Sequence, residues 1–367
     1  MKLLLPCLVL FGALVAGCTG SGDTRSPPSG SPSASLQALA QGVPPLDFDA
    51  KAAVDWWSAF STTYTSRNAY LPGNDAARDH IAGTLGAAGF KVQVLQYAAE
   101  AQGRPLPDGV PARINVVEAT RQGTGPGVIA FGAHYDNFYI ANPPKASDAT
   151  GDPVALAAPT ALPIQAAYDN GAGTATVVQL CAAMAKVPLR HTLACLLFDG
   201  EELGTLGSQA YAADGRHERP QLYVGFDMTG LNWPGIDTAQ AGRGLWKLYA
   251  WTGPEFADQL FPLVNGTLHD VLGYPLLGAE AFPMNDRNSD EASFAEAHVP
   301  TIRFAGGRTA GLYPQYHRPG DTVDFVYQLA GGRANFEAGM AAVAQTAYQV
   351  TMELDQTDLA QLKAEPT

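Results

Sequence analysis

Four short apolar runs punctuate the chain: Val128-Ile129-Ala130-Phe131, Leu193-Ala194-Cys195-Leu196-Leu197-Phe198, Leu222-Tyr223-Val224-Gly225-Phe226 and Pro300-Thr301-Ile302-Arg303-Phe304. Each is too short for a buried helix and lacks the polar alternation of a half-exposed strand, so each predicts a central strand covered on both faces. Between and after them, residues 173–186, 254–272 and 335–354 read as helices. Upstream, a helix over 48–63 carries Ala52, Val54, Trp57 and Phe60; a second takes Asn74 as its N-cap, repeats Ile81 and Leu85, and stops at Gly89. Residues 91–97 and 112–119 read as strands. This order predicts one α/β domain over residues 46–355, followed by a tail over 356–367, with no internal repeat.

Composition changes this picture in one way only. The 367 residues are 46% hydrophobic and 16% charged, enough apolar material for one large core, and a formal charge of −13 leaves no basic surplus for a nucleic-acid partner. The first residues are different in kind. Lys2 precedes an apolar run over 3–15 that ends in Val15-Ala16-Gly17-Cys18. The run is short for a permanent membrane span, and the small residues suit cleavage before Cys18, so residues 1–17 read as an export signal. The pattern resembles a bacterial lipobox, which implies lipidation of Cys18 and a cell-envelope location. Residues 18–45, rich in Ser, Gly and Pro, read as a flexible tether. Cys181 and Cys195 remain in the body, where pairing in an oxidising compartment and two buried thiols are both open readings.

The chemistry gathers directly after the apolar runs. His134 and Asp136 follow the first, Glu201 and Glu202 the second, and Asp227 the third. In open α/β sheets, ligands bind beyond the carboxyl ends of the strands, so these side chains are expected to converge on one crevice. Asp169, in Tyr168-Asp169-Asn170-Gly171-Ala172-Gly173, and His317, in Tyr316-His317-Arg318-Pro319-Gly320-Asp321-Thr322, sit in loops of unusual composition. Imidazoles combined with carboxylates suit zinc. Taken singly, a His at a strand end is more often structural and a Glu-Glu pair more often a solvated helix start. His80, His191, His217, His269 and His298 lack this context and are assigned structural roles.

The ordered set Gly132-Ala133-His134-Tyr135-Asp136, Asp169-Asn170-Gly171, Phe198-Asp199-Gly200-Glu201-Glu202, Phe226-Asp227-Met228-Thr229-Gly230 and Tyr316-His317 resembles the M28 family of zinc aminopeptidases. Leu203-Gly204-Thr205-Leu206-Gly207-Ser208-Gln209-Ala210-Tyr211 and Ser289-Asp290-Glu291-Ala292-Ser293-Phe294 extend the likeness across the body. The resemblance implies a zinc-exopeptidase fold, a mixed sheet of about eight strands between helical layers. It implies two zinc ions, with Asp169 bridging, His134 and Asp227 completing one site, and Glu202 and His317 the other. Glu201 would be the general base, and Asp136 the carboxylate that orients the His134 imidazole. The Asp169-Asn170 peptide bond would be cis. Tyr316 would either stabilise an oxyanion or pack beside His317. The implied substrates are peptides with a free N-terminus.

Two related readings stay open on the sequence. Glutaminyl cyclases share this fold with a single zinc, and Phe198-Asp199-Gly200-Glu201-Glu202 resembles theirs; against that, this chain reaches Gly207-Ser208 without the aromatic-containing insertion usual in cyclases. A non-catalytic ectodomain would be expected to have lost ligands, whereas all five ligand positions and the base are intact. The Pro- and Ala-rich insertion over 137–163 is expected at the rim of the crevice.

Overall fold

The structure is a computed structural model that describes residues 43–98, 113–138, 164–216, 220–230, 260, 262–267, 289–305 and 313–356, and the backbone of 249–252. The export signal, Cys18, most of the tether, residues 139–163 of the insertion and nearly all of the C-terminal tail lie outside the described residues.

Seven described strands form one mixed sheet where about eight were expected. They are β1 (Lys91–Ala98), β2 (Arg113–Arg121), β3 (Val128–His134), β4 (Thr192–Phe198), β5 (Pro220–Asp227), β6 (Tyr249–Thr252) and β7 (Thr301–Ala305), in the spatial order β1-β2-β4-β3-β5-β7-β6. The four central strands, β4, β3, β5 and β7, run parallel, and the outer pairs are antiparallel. The four apolar runs of the sequence are these four strands, and residues of β3, β4, β5 and β7 are buried almost throughout.

The helices are α1 (Ala50–Thr63), α2 (Pro72–Ala87), α3 (Gly173–Met184), α4 (Leu206–Ala213), α5 (Glu291–Ala295), α6 (Val323–Ala330) and α7 (Arg333–Asp355). Residues 260 and 262–267 are also helical, within the longer helix expected over 254–272. Alternation along the strands sends Ile129, Phe131, Cys195, Leu197, Val224, Phe226 and Phe304 to one face, where Phe60, Ile81, Leu85, Val177 and Tyr348 cover them. Ala130, Ala194, Leu196, Phe198 and Tyr223 point to the other face, against Tyr211 of α4 and Phe294 of α5. Tyr223 and Phe294 stack there with ring centres 4.0 Å apart. Burial on both faces is what parallel strands require, and at about 25 cal/mol per Å² of apolar surface removed from water it is the main force holding the layers together.

Local signals explain the helix boundaries. Asp49 caps α1, its side chain accepting from the Ala52 N–H at 2.9 Å. The second helix corrects the sequence reading: it begins at Pro72, whose fixed φ suits a first turn, with Leu71 at the N-cap. Asn74 is instead buried inside that helix, donating to the Arg67 carbonyl and to Asp199. Cys181 of α3 and Cys195 of β4 form a disulfide, so of the two readings of these cysteines the paired one holds.

Candidate metal centre

Three strand ends deliver four of the site residues. β4, β3 and β5 are adjacent and parallel, with His134 opposite Phe198 in the register, so their carboxyl ends share one edge. His134 is the last residue of β3 and Asp227 the last of β5. After β4 the chain turns at Gly200, whose φ of +71° is disfavoured for any residue with a Cβ, and this turn aims Glu201 and Glu202 back over the sheet edge.

Loops supply the rest. Residues 167–172 form an irregular turn before α3, in which Asp169 and Asn170 leave helical geometry and their peptide bond is cis, as the family likeness implied. The Asn170 side chain ties this turn to the end of β5: it donates to the Phe226 carbonyl at 3.0 Å and accepts from the Met228 and Gly173 amides. Gly173 has no alternative here, because a Cβ would lie 2.3 Å from the Phe226 carbonyl oxygen. On the opposite side, His317 lies in the turn before α6 with φ of +52°.

The structure brings His134, Asp169, Glu201, Glu202, Asp227 and His317 together. Donor atoms of His134, Glu201 and Asp227 lie within 4.8 Å of one another, and so do those of Asp169, Glu202 and His317. Asp169 faces both groups: one carboxylate oxygen is 3.6 Å from His134 Nε2 and the other 3.3 Å from His317 Nε2. His134 Nε2 is also 3.6 Å from Asp227 and 3.8 Å from Glu201, while His317 Nε2 is 2.7 Å from Glu202. Asp136 sits behind, 3.4 Å from His134 Nδ1, and its two oxygens accept the backbone N–H groups of Glu201 and Glu202. It therefore orients an imidazole and a glutamate turn at once. Tyr316 stacks on His317 with ring centres 3.7 Å apart, and Phe138, where the insertion begins, meets the same imidazole edge-on at 5.0 Å.

The electrostatics of this cluster call for cations. Burial works against charge on His134, yet Glu201, Asp136 and Asp227 outweigh it and push its pKa well above the ordinary imidazole value. Burial likewise opposes charge on His317, but Glu202 and Asp169 raise it to about 10. Burial raises Glu202 to about 7 and lifts Glu201 well above the usual carboxylate range, with further repulsion from neighbouring carboxylates. Asp227 goes the other way: burial would raise it, but the positive charges of His134 and Arg303 bring it down. Burial and surrounding acids keep Tyr316 protonated far past its ordinary range. Asp169 Oδ2 and Asp227 Oδ1 are buried without a hydrogen-bond donor among the described residues. Imidazole nitrogens and undonated carboxylate oxygens converging at these distances fit zinc, whose charge would favour the deprotonated form of every one of these groups.

A model of peptidase family M28 matches residues 115–337, more than half of the chain and all of the site. The chain belongs to peptidase family M28. An aminopeptidase of Bacillus subtilis (strain 168), YwaD, is 25% identical over 165 residues, covering 44% of this chain and 33% of the relative, so the match spans a third of that protein's length. Solved structures share the fold, among them two enzymes. A zinc aminopeptidase from Bacillus subtilis has a TM-score of 0.62 at 14% identity, covering 83% of this chain and 95% of its own. A glutaminyl cyclase of Bacteroides thetaiotaomicron has a TM-score of 0.64 at 17% identity, covering 84% and 99%.

Two residues that support the site in this M28 chain escaped the sequence reading. Arg67 is fully buried and donates to the carbonyls of Tyr64, Tyr135, Gln165 and Ala166. Burial lowers its pKa to about 10 against the pull of Asp321, Asp136 and Asp169, which leaves it cationic at neutral pH. Nothing distinguishes this arginine in sequence from a solvated one. Asp321 is the second, and its signal in the sequence is an acid four residues after His317 in a turn-forming loop.

Proposed function

We propose that this chain is an exported zinc aminopeptidase that hydrolyses the N-terminal residue from peptides at a two-zinc centre. The observation that carries this reading is Asp169, whose two oxygens face different histidines, His134 and His317, each with a further carboxylate beside it. A shared carboxylate between two donor sets is what a pair of ions needs. His134 and Asp227 would hold one ion, Glu202 and His317 the other, and Asp169 both.

Zinc bound there would supply a nucleophile at neutral pH and polarise the scissile carbonyl. Glu201 lies among the donors, its Oε2 3.8 Å from His134 Nε2, and is not needed to complete either set. It would take the proton from the attacking water and pass it to the leaving amine. Tyr316, kept as a phenol beside His317, would donate to the carbonyl oxygen as negative charge develops there. The acidic lining suits the α-ammonium group of a free N-terminus, so peptides with free N-termini are the substrate class.

Glutaminyl cyclisation is the alternative, because a cyclase structure shares this fold. It needs a single zinc and leaves the His134–Asp227 set without a metal. The immediate run from Glu202 to Gly207-Ser208 favours the hydrolase. We further propose that the chain is exported as a lipoprotein acylated at Cys18 and held to the membrane by its tether. The buried Cys181–Cys195 disulfide supports an oxidising compartment. Mass spectrometry of the native protein gives a lipidated N-terminal Cys18 on this account; unlipidated Cys18 contradicts it.

The test of the activity compares a free peptide with its N-acetylated form, keeping the same first residue. The free peptide loses its first residue and the acetylated one is untouched. Equal cleavage of both contradicts an aminopeptidase, and pyroglutamate formation from an N-terminal glutamine without hydrolysis selects the cyclase.

A further inference from the structure

Three consecutive backbone amides leading into Asp169 bind one residue of the facing loop. The Ala167 N–H donates to the Asp321 carbonyl at 3.3 Å, the Tyr168 N–H to Asp321 Oδ1 at 2.9 Å, and the Asp169 N–H to Asp321 Oδ2 at 3.0 Å. Asp321 is itself held, since Tyr313 donates its hydroxyl to Oδ1 at 2.6 Å. Both Asp321 and Tyr313 are buried, and Tyr313 packs against Tyr168 with ring centres 4.9 Å apart. The Asp321 amide donates to the Arg318 carbonyl, within the turn that presents His317.

This geometry has a chemical consequence. A residue in the irregular turn 167–172 has no regular secondary structure to fix its direction, because neither Asp169 nor Asn170 has helical backbone angles. Only bonds from outside the turn can set where the Asp169 carboxylate points. Asn170 supplies two such bonds on the β5 side, Trp57 donates to the Ala167 carbonyl at the start of the turn, and Asp321 supplies the run on the His317 side that includes the Asp169 amide.

We propose that Asp321 is the positioning residue that aims Asp169 between the two histidines, and that it thereby sets how tightly the centre holds zinc. This rests on Asp169 being a shared ligand. Both oxygens of Asp321 accept. An asparagine offers one acceptor and one N–H₂, so either the Tyr168 or the Asp169 amide would face another donor. Tyr313 acts one step further back, through its hydroxyl on Oδ1.

The test uses the whole protein and three variants: Asp321→Asn, Tyr313→Phe and Thr322→Ala. Thr322 is a control for local stability, since it caps α6 through the Phe325 amide and makes no bond to the Asp169 turn. Zinc affinity is read by competition with a chelator, thermal stability on the metal-free protein, and kcat and KM separately on a free dipeptide. Residues that orient ligands typically change metal affinity by about 10 to 100-fold, and Asp321→Asn is expected to lose zinc affinity in that range. At saturating zinc its kcat falls while KM stays near that of the unaltered protein. Tyr313→Phe shows a smaller loss of affinity in the same direction, and Thr322→Ala lowers the melting temperature without changing zinc affinity. Asp321→Asn binding zinc as tightly as the unaltered protein overturns the proposal. If that variant does not fold, Tyr313→Phe decides alone, and unchanged affinity there overturns it equally. An unaltered protein that binds no zinc overturns the functional reading itself, an outcome visible before any variant is compared.

Discussion

Arg67 reaches the carbonyl of Ala166 through Nη2 at 3.0 Å, while its Nε donates to the carbonyl of Tyr135 at 2.8 Å. One buried guanidinium thus joins the backbone just after His134 to the backbone just before Asp169. Asn137 and Ile164, which bracket the insertion, are tied close by: the Asn137 side chain donates to the Ile164 carbonyl, and the Ile164 amide to the Thr65 carbonyl. Replacing Arg67 with Met keeps the stem and removes the guanidinium donors to Tyr64, Tyr135, Gln165 and Ala166, leaving buried carbonyls unpaired. Hydrogen bonds from charged donors contribute about 1.5–3 kcal/mol each, and the variant is expected to lose at least about 3 kcal/mol of stability. Urea unfolding of the metal-free variant checks this; a loss below about 1 kcal/mol would show that the arginine is not what holds these segments.

The glutamate pair separates two roles. Glu201→Gln is expected to retain zinc and to lose about 10² to 10⁴-fold in kcat, the usual contribution of general acid–base catalysis. Glu202→Gln is expected to lose zinc. Elemental analysis beside kinetics distinguishes them, and loss of metal from the Glu201 variant would reverse the assignment.

The disulfide predicts a stability difference that depends on unfolding. Cys181 and Cys195 are 14 residues apart and both fully buried. Closing a loop near this size stabilises by about 3 kcal/mol in the chain-entropy picture. Burial also shields the bridge, so a thiol reductant without denaturant should release no free thiols, while reductant with urea releases both and lowers the midpoint. Rapid reduction of the native protein would contradict this.

His80 gives a pH dependence. It lies among Trp56, Phe60 and Tyr64, and burial lowers its pKa below the ordinary value of 6.5. The unfolded chain therefore binds the proton more readily than the folded one. The stability at stake is fully present above pH 6.5 and is lost as the pH falls below it toward the folded pKa. Metal-free protein should show this decline, and His80→Gln should flatten it. An unchanged slope in the variant would place the effect elsewhere.

The central sheet was legible because strands covered on both faces write themselves as unbroken apolar runs, as at Leu193 to Phe198. The convergence of the candidate site was legible because strand ends put His134 and Asp227 at fixed positions and because the family's wording surrounds them. Other elements left weaker traces. β6 spans only Tyr249–Thr252, and α6 only eight residues, although Val323, Val326 and Ala330 have the spacing of a helix face. Asn74 has the chemistry of an N-cap, yet its side chain is used three-dimensionally, between Arg67 and Asp199. Arg67 acts through backbone carbonyls of distant segments, and such partners have no signature in the order of residues.

Zinc titration into the metal-free protein tests the two-zinc account most directly, read as ions bound per chain for the unaltered protein and for His134→Ala. The account predicts two ions per chain in the first and one in the second, since in this account His134 serves only one of two donor sets, with Asp169 shared between them. A single ion per chain, unaffected by His134→Ala, would contradict it.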